Sequence, residues 1–266
     1  MILKLLVVFI ISTSISLWIS PKVKKFGAKY KFFDKPDKRK QRVTPMVRVG
    51  GLGISFSYFL TIFLVLFFNK ASFLILSDDY LAFTILLGSF FFLSIGMADD
   101  LIDISPFAKL VLQIIISYFI FSQGLEINFL NSSIQWVQNY EQIFSLVSPI
   151  LTLVWIVGVT NAINWMDGLD GLASGFVIIA SFSILVISIL NGQEASGIMI
   201  ASLSGSTLGF LQYNYFPSKI LMGDSGSYFL GFNLACIPLI SLRGFGSSAV
   251  DFNQISSSAL LISFLI

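Results

Sequence analysis

Three short polar strings in this chain carry residue types suited to chemistry on phosphate groups. The first is Asp99-Asp100, an adjacent carboxylate pair followed by Asp103, Pro106 and Lys109. The second, Asn161-Ala-Ile-Asn164-Trp-Met-Asp167-Gly-Leu-Asp170-Gly, sets an amide or a carboxylate at every third position. The third is Gly223-Asp224-Ser225-Gly226-Ser227. Adjacent carboxylates at an apolar boundary can hold Mg²⁺, or one of them can take a proton. A spacing of three on a helix turns each group roughly 60° behind the last, so Asn161, Asn164, Asp167 and Asp170 would share one flank. Gly168 and Gly171 weaken an unbroken helix and let backbone N–H groups approach an anion. Gly223 to Ser227 opens an apolar run, where free N–H groups and the positive end of a helix favour an anion, with Asp224 a natural metal ligand. The bland alternative is a solvated helix end for Asp99-Asp100 and helix capping for the other two strings. Three such strings set against apolar runs are expensive without a role.

The elements that must position these groups are membrane helices. Of 266 residues 56% are hydrophobic and 11% charged, with a mean hydropathy of +0.88. This balance marks a polytopic membrane protein of the all-α class. Apolar runs long enough to cross about 30 Å of hydrocarbon lie near 1–20, 49–68, 80–98, 107–122, 144–160, 172–190, 197–212 and 226–242. These predict eight complete transmembrane helices in a single domain over 1–266, and a ninth run starts near Ser256. That run meets Ile266 without an interfacial flank, so the chain is expected to be truncated at its C-terminus. Only Lys4 precedes the first run and a basic segment follows it, the charge order of a retained helix with its N-terminus outside.

Charge sets the orientation. Eleven of the 16 Lys and Arg fall between Lys22 and Arg48, directly after the first run, which places that loop in the cytoplasm. Alternating spans then put all three polar strings on the same inner side with Lys109 and Lys219. Thirteen basic residues lie inside, against Lys4, Lys70 and Arg243 outside. Asp78-Asp79 falls outside and receives no function. The loop of about Ser122 to Gln142 reads as a connector. The basic first loop suits anionic lipid heads or phosphates as well as topology.

Absences narrow the chemistry. With no His and a single Cys236, no disulfide framework and no Cys/His metal cluster can form. Gly223-Asp224-Ser225-Gly226 is similar to the active-site string of trypsin-like serine proteases, but a triad needs a histidine. A secondary transporter with edge carboxylates predicts inverted repeats and broken helices at the midplane, whereas these acids sit at helix ends. A prenyltransferase of the aromatic-acceptor type prefers Asp-x-x-x-Asp boxes, while Asp167 and Asp170 have two residues between them.

Together the strings resemble the polyprenyl-phosphate N-acetylhexosamine-1-phosphate transferases. That family includes the phospho-MurNAc-pentapeptide translocase and the GlcNAc-1-phosphate transferases that start O-antigen and teichoic acid linkage synthesis. Asp34-Lys35-Pro36-Asp37-Lys38-Arg39-Lys40 with Pro45 and Gly50-Gly51 resembles the family's first inner loop, and Asp99-Asp100 with Lys109 and Gln113 the second. Asn161 to Ala173 is similar to its most diagnostic string, and Pro217 to Ser227 to the fourth. The resemblance implies attack of a lipid-carrier phosphate on the β-phosphate of a UDP-sugar, with release of UMP, at the cytoplasmic face of the cell inner membrane. It implies Mg²⁺, with Mn²⁺ as a substitute. Asp99 would be the base or phosphate-positioning group, with Asp100 beside it and Asp167 near the diphosphate. Asp224 would be the main metal ligand, with Asp100 also assigned to the metal. Lys109 would meet phosphate charge, and Asn161, Asn164, Asp170, Gly223 and Ser225 would hold substrate.

The expected partners are a UDP-N-acetylhexosamine, undecaprenyl phosphate and membrane lipid. No nucleic acid is expected, and a homodimer is allowed. UDP-GlcNAc is preferred over UDP-MurNAc-pentapeptide as donor because the basic first loop and Trp165-Met166 resemble the surface-polysaccharide branch, lipopolysaccharide included. Most of the 28 Phe are expected to face lipid, the rest lining grooves for the prenyl tail. Three positions depart from the pattern. Arg42 stands where many relatives carry His, and Leu221 where an aromatic can stack on uracil. The family's histidine-rich loop would lie beyond Ile266.

Overall fold

The computed structural model describes residues 1–34, 45–68, 80–127 and 141–241. The expected ninth run, the string from Lys35 to Lys40 with Arg42, and Asp78-Asp79 lie outside the described residues. Each of the eight apolar runs forms a helix: α1 Ile2–Lys29, α2 Gly51–Phe68, α3 Tyr80–Ile102, α4 Pro106–Ser122, α5 Glu141–Met166, α6 Leu172–Leu190, α7 Glu194–Asn214 and α8 Gly223–Ser241. The protein is an all-α polytopic membrane protein. Its only sheet among the described residues is an antiparallel pair, β1 Phe33–Asp34 with β2 Met46–Val47.

Five helices run past their expected limits at the end of the bundle that carries the polar strings, α7 among them by reaching Asn214, while α5 and α7 also begin early at the opposite end. α1 continues through Pro21 and Lys22 to Lys29, α3 takes in Asp99 and Asp100, α5 takes in Asn161 and Asn164, and α8 starts at Gly223. The hydropathy of a run ends where polar residues begin, but the backbone hydrogen-bond ladder does not, so helices carry polar groups past the apolar core.

Among the described residues five helices are long and apolar enough to cross a membrane: α1, α2, α3, α5 (over Leu146–Met166) and α6. α4 is apolar but only 17 residues long. α7 and α8 fall short in hydropathy rather than length, and the packing supplies the reason. Nearly every residue of α8 is buried, with α2, α3, α5, α6 and α7 around it. A helix screened from lipid by other helices can carry small and polar residues. Asn233 of α8 accepts hydrogen bonds from Tyr58 of α2 at 3.1 Å and Ser89 of α3 at 2.9 Å. α7 packs along α1, where Ser12 and Ser16 donate to the Ser202 and Ser206 carbonyls at 2.7 and 2.6 Å. Phe side chains divide between the outer surface and the core. Phe63, Phe67, Phe83, Phe90 and Phe182 face outward, whereas Phe92 and Phe232 stack inside.

Candidate active site

The polar cluster sits where α3 ends and α8 begins. Gly96 lies one turn before Asp100 on α3, and a Cβ there would fall 2.3 Å from the Asp224 carbonyl oxygen. Gly51 plays the matching part at the start of α2, 2.2 Å from the Gly226 nitrogen by the same construction. Only glycine lets three helix ends approach this closely. The segment before α8 is also stitched to the segment before α2: Leu221 N–H donates to the Val47 carbonyl at 2.9 Å, Gly50 N–H to Leu221 at 2.9 Å, and Gly51 N–H to Met222 at 2.8 Å. Arg48 is thereby fixed beside Asp224.

Each carboxylate has a different set of partners. Asp99 accepts from Lys109 Nζ at 2.7 Å and from the Ile104 N–H at 2.9 Å. Lys109 also stands 3.7 Å from the second oxygen of Asp224, and the Asp99 and Asp224 carboxyls are themselves within hydrogen-bonding reach. Asp100 accepts the N–H groups of Asp224 and Ser225, both at 2.9 Å, and its side chain is wholly buried. Arg48 spans the gap, with Nε 3.1 Å from Asp100 and a terminal nitrogen donating to Asp224 at 2.6 Å. Asp34, set at 3.9 Å from Arg48 by the β1–β2 pair, adds a third acid. Burial works against the Arg48 charge, but Asp224 and Asp100 outweigh it and hold the guanidinium protonated.

The Asn/Asp string is divided by the end of α5. Asn161 and Asn164 are helical; Asp167 and Asp170 lie in the turn that leads to α6. Asn164 donates to the Ser227 hydroxyl at 2.8 Å, on the first turn of α8. Asn161, nearly one turn deeper, donates to Gln113 of α4 at 2.7 Å. Asp167 faces the cluster. Burial, then the charges of Asp224 and Asp100, push its carboxyl up to about 8, against the pull of Arg48 and the Gly223 N–H. Asp170 turns elsewhere and accepts from Ser218 N–H at 3.0 Å. It braces the 215–222 loop together with Asn214, which accepts from Gly171 and Ser174 and donates to the Ile220 carbonyl. Thus Asp99, Asp100, Lys109, Asp167, Gly223, Asp224 and Ser225 converge. Asn161 and Asn164 reach the edge of the cluster, and Asp170 supports a loop.

Sequence reasoning missed Arg48, which it counted only toward topology. Its sole signal was position, two residues before Gly50-Gly51, and the basic run upstream obscured it. Ser227 and Asn214 were missed as well, because a lone Ser or Asn in a polar string carries no mark of its partner.

An oxygen-rich, cation-bridged cluster at one end of a helical bundle can bind phosphate and hold a hard cation. Three known proteins are similar to this chain in sequence. A probable undecaprenyl-phosphate N-acetylglucosaminyl 1-phosphate transferase of Bacillus subtilis is 36% identical over 244 residues, 90% of this chain and 64% of the relative. An undecaprenyl-phosphate alpha-N-acetylglucosaminyl 1-phosphate transferase of Thermotoga maritima is 31% identical over 231 residues, 86% of this chain and 64% of the relative. A phospho-N-acetylmuramoyl-pentapeptide-transferase of Lactococcus lactis subsp. cremoris is 36% identical over 157 residues, 55% of this chain and 46% of the relative. The chain therefore spans between 46% and 64% of the length of these relatives. The glycosyl transferase family 4 profile matches residues 82–242, a stretch running from α3 to the end of α8 that contains all three polar strings, and the chain belongs to that family.

Proposed function

We propose that the protein transfers N-acetylglucosamine 1-phosphate from UDP-GlcNAc to undecaprenyl phosphate, releasing UMP at the cytoplasmic face of the cell membrane. The observation that carries this reading is the convergence of Asp99, Lys109, Arg48 and Asp224 at one end of the bundle. The names of the two relatives that cover most of this chain support the substrate class.

In this reaction an oxygen of the carrier phosphate attacks the β-phosphorus of the UDP-sugar. The bond from that phosphorus to the bridging oxygen breaks, and UMP leaves with the oxygen. Asp99, at the end of α3, takes up a proton from the carrier phosphate or sets its angle of approach. Lys109 and Arg48 offset the negative charge of two phosphate groups meeting. Asp167, in the turn beside Asp224 and Asp100, helps to hold the diphosphate. Asn164, tied to α8 through Ser227, helps to hold the nucleotide.

The donor set fits Mg²⁺. It is all oxygen, and among the described residues no group of three acids forms a ready-made cage. Two neighbouring carboxylates, Asp224 and Asp99, are what Mg²⁺ needs when substrate phosphates and water supply the rest. Bound there, the ion would polarise the diphosphate and neutralise charge on the departing UMP.

The test is UMP release from UDP-GlcNAc by the full chain in detergent with undecaprenyl phosphate, with and without Mg²⁺. UMP that depends on lipid and metal, and that Asp224→Ala reduces at least about a hundredfold, is the expected result. UMP from UDP-MurNAc-pentapeptide alone would move the transferred group to the phospho-N-acetylmuramoyl-pentapeptide that the Lactococcus lactis relative is named for. No UMP from any UDP-N-acetyl sugar would overturn the reading.

A further inference from the structure

We propose that Asp100 is a positioning residue, distinct from Asp99, whose buried carboxylate holds the first turn of α8 and Arg48 so that Asp224 faces Asp99 and Lys109. This rests on the transferase reading for its kinetic consequence, but its structural core does not.

The two acids are neighbours in sequence and point about 100° apart around α3. Asp100 lies on the Gly96 face, where α3 touches the α8 backbone. There it accepts two successive N–H groups, Asp224 and Ser225, at 2.9 Å each, and forms an ion pair with Arg48, whose Nε lies at 3.1 Å. Its side chain is fully buried while that of Asp99 keeps slight exposure. Two backbone N–H groups in good geometry engage the two Asp100 oxygens, with the Arg48 guanidinium paired beside them. An incoming phosphate or cation would have to break bonds that hold a helix end.

Asp99 lies on the other flank, against Lys109 of α4 and beside Asp224. Lys109 is a flexible point charge that reaches Asp99 and Asp224 together, and it can shift to a phosphate without unfolding anything. Arg48 completes the frame. Its fork links Asp100 to Asp224, and the segment around it is stitched to Leu221 through Val47 and Gly50 and to Met222 through Gly51. The Asp224 carboxylate is thus aimed by its own N–H bond to Asp100 and by a guanidinium that Asp100 also holds. Moving Asp100 would swing the ligand and the cation together.

The experiment compares Asp100→Asn with Asp99→Asn in the full chain, using three readouts. In hydrogen exchange, Asp100→Asn should speed exchange in the peptide covering 223–227 by about tenfold, because one side-chain acceptor becomes a donor facing an N–H. Asp99→Asn should leave that peptide unchanged. In Mn²⁺ titration followed by electron paramagnetic resonance, Asp100→Asn should weaken binding by about tenfold or more. In UMP release, Asp100→Asn should regain much of its kcat at high Mg²⁺, whereas Asp99→Asn should stay slow at every concentration. Unchanged exchange in Asp100→Asn, or a turnover loss matching Asp99→Asn that no metal concentration restores, would overturn the proposal. Should Asp100→Asn not fold, Arg48→Lys loosens the same frame from its other side. It should raise exchange at 223–227 and weaken Mn²⁺, and no change in either would overturn the proposal equally. A wild type that releases no UMP rejects the transferase reading, and the exchange and Mn²⁺ results still decide the role of Asp100.

Discussion

Asp167 stands one residue past α5, in a turn beside the acids of α3 and α8. Its carboxyl is pushed up to about 8 first by burial and then by the Asp224 and Asp100 charges. The folded state therefore prefers the neutral carboxyl. Its contribution to stability is full below about pH 4 and is lost as pH rises through about 8. Asp167→Asn is neutral throughout. Its melting temperature should fall less than that of the wild type between about pH 5 and 9, and parallel curves would count against this assignment. Asp167 belonged to a regular string whose spacing was legible, but the turn after Met166 sent Asp167 toward the cluster and Asp170 toward Ser218. A period of three says which residues would share a helix flank, and it is silent on where the helix stops.

At the scale of elements, glycines at the start of α2 and near the end of α3 let helix ends touch by backbone. Gly96→Ala would press a methyl against the Asp224 carbonyl, which cannot move without shifting α8. The expected cost is about 1–3 kcal/mol, with loss of metal-dependent activity. Gly175→Ala, in α6, meets nothing within 4 Å and should instead stabilise by about 0.5–1 kcal/mol through backbone entropy. Thermal unfolding of the two variants in detergent checks the opposite signs, and equal destabilisation would contradict the contact at Gly96. The elements themselves were legible because an apolar run of this length in lipid can satisfy its backbone only as a helix. Their polar ends were read too short at five places, and those ends carry Asp99, Asp100, Asn161, Asn164, Asn214 and Asp224.

Across the whole molecule the helices alternate in direction. β1, β2 and the turns after α3, α5 and α7 gather at one end, while the α6–α7 turn and the Lys4–Glu194 ion pair lie at the other. The basic segment after α1 predicts that the first end faces the cytoplasm. In a Cys236→Ala background, Lys219→Cys should react with a membrane-impermeant thiol reagent only after cells are opened, and Gln193→Cys should react from outside. The reverse labelling would invert the topology. Amino-acid order alone determined the membrane class, the eight helices and the acids that collect at one side, because hydrophobicity and charge act locally and along the chain. The tertiary structure decided the rest. It placed Arg48 between Asp100 and Asp224, turned Asp99 and Asp100 to different partners, and made α8 the buried centre. Those outcomes depend on how helix ends more than a hundred residues apart meet and rotate, and no local pattern encodes that.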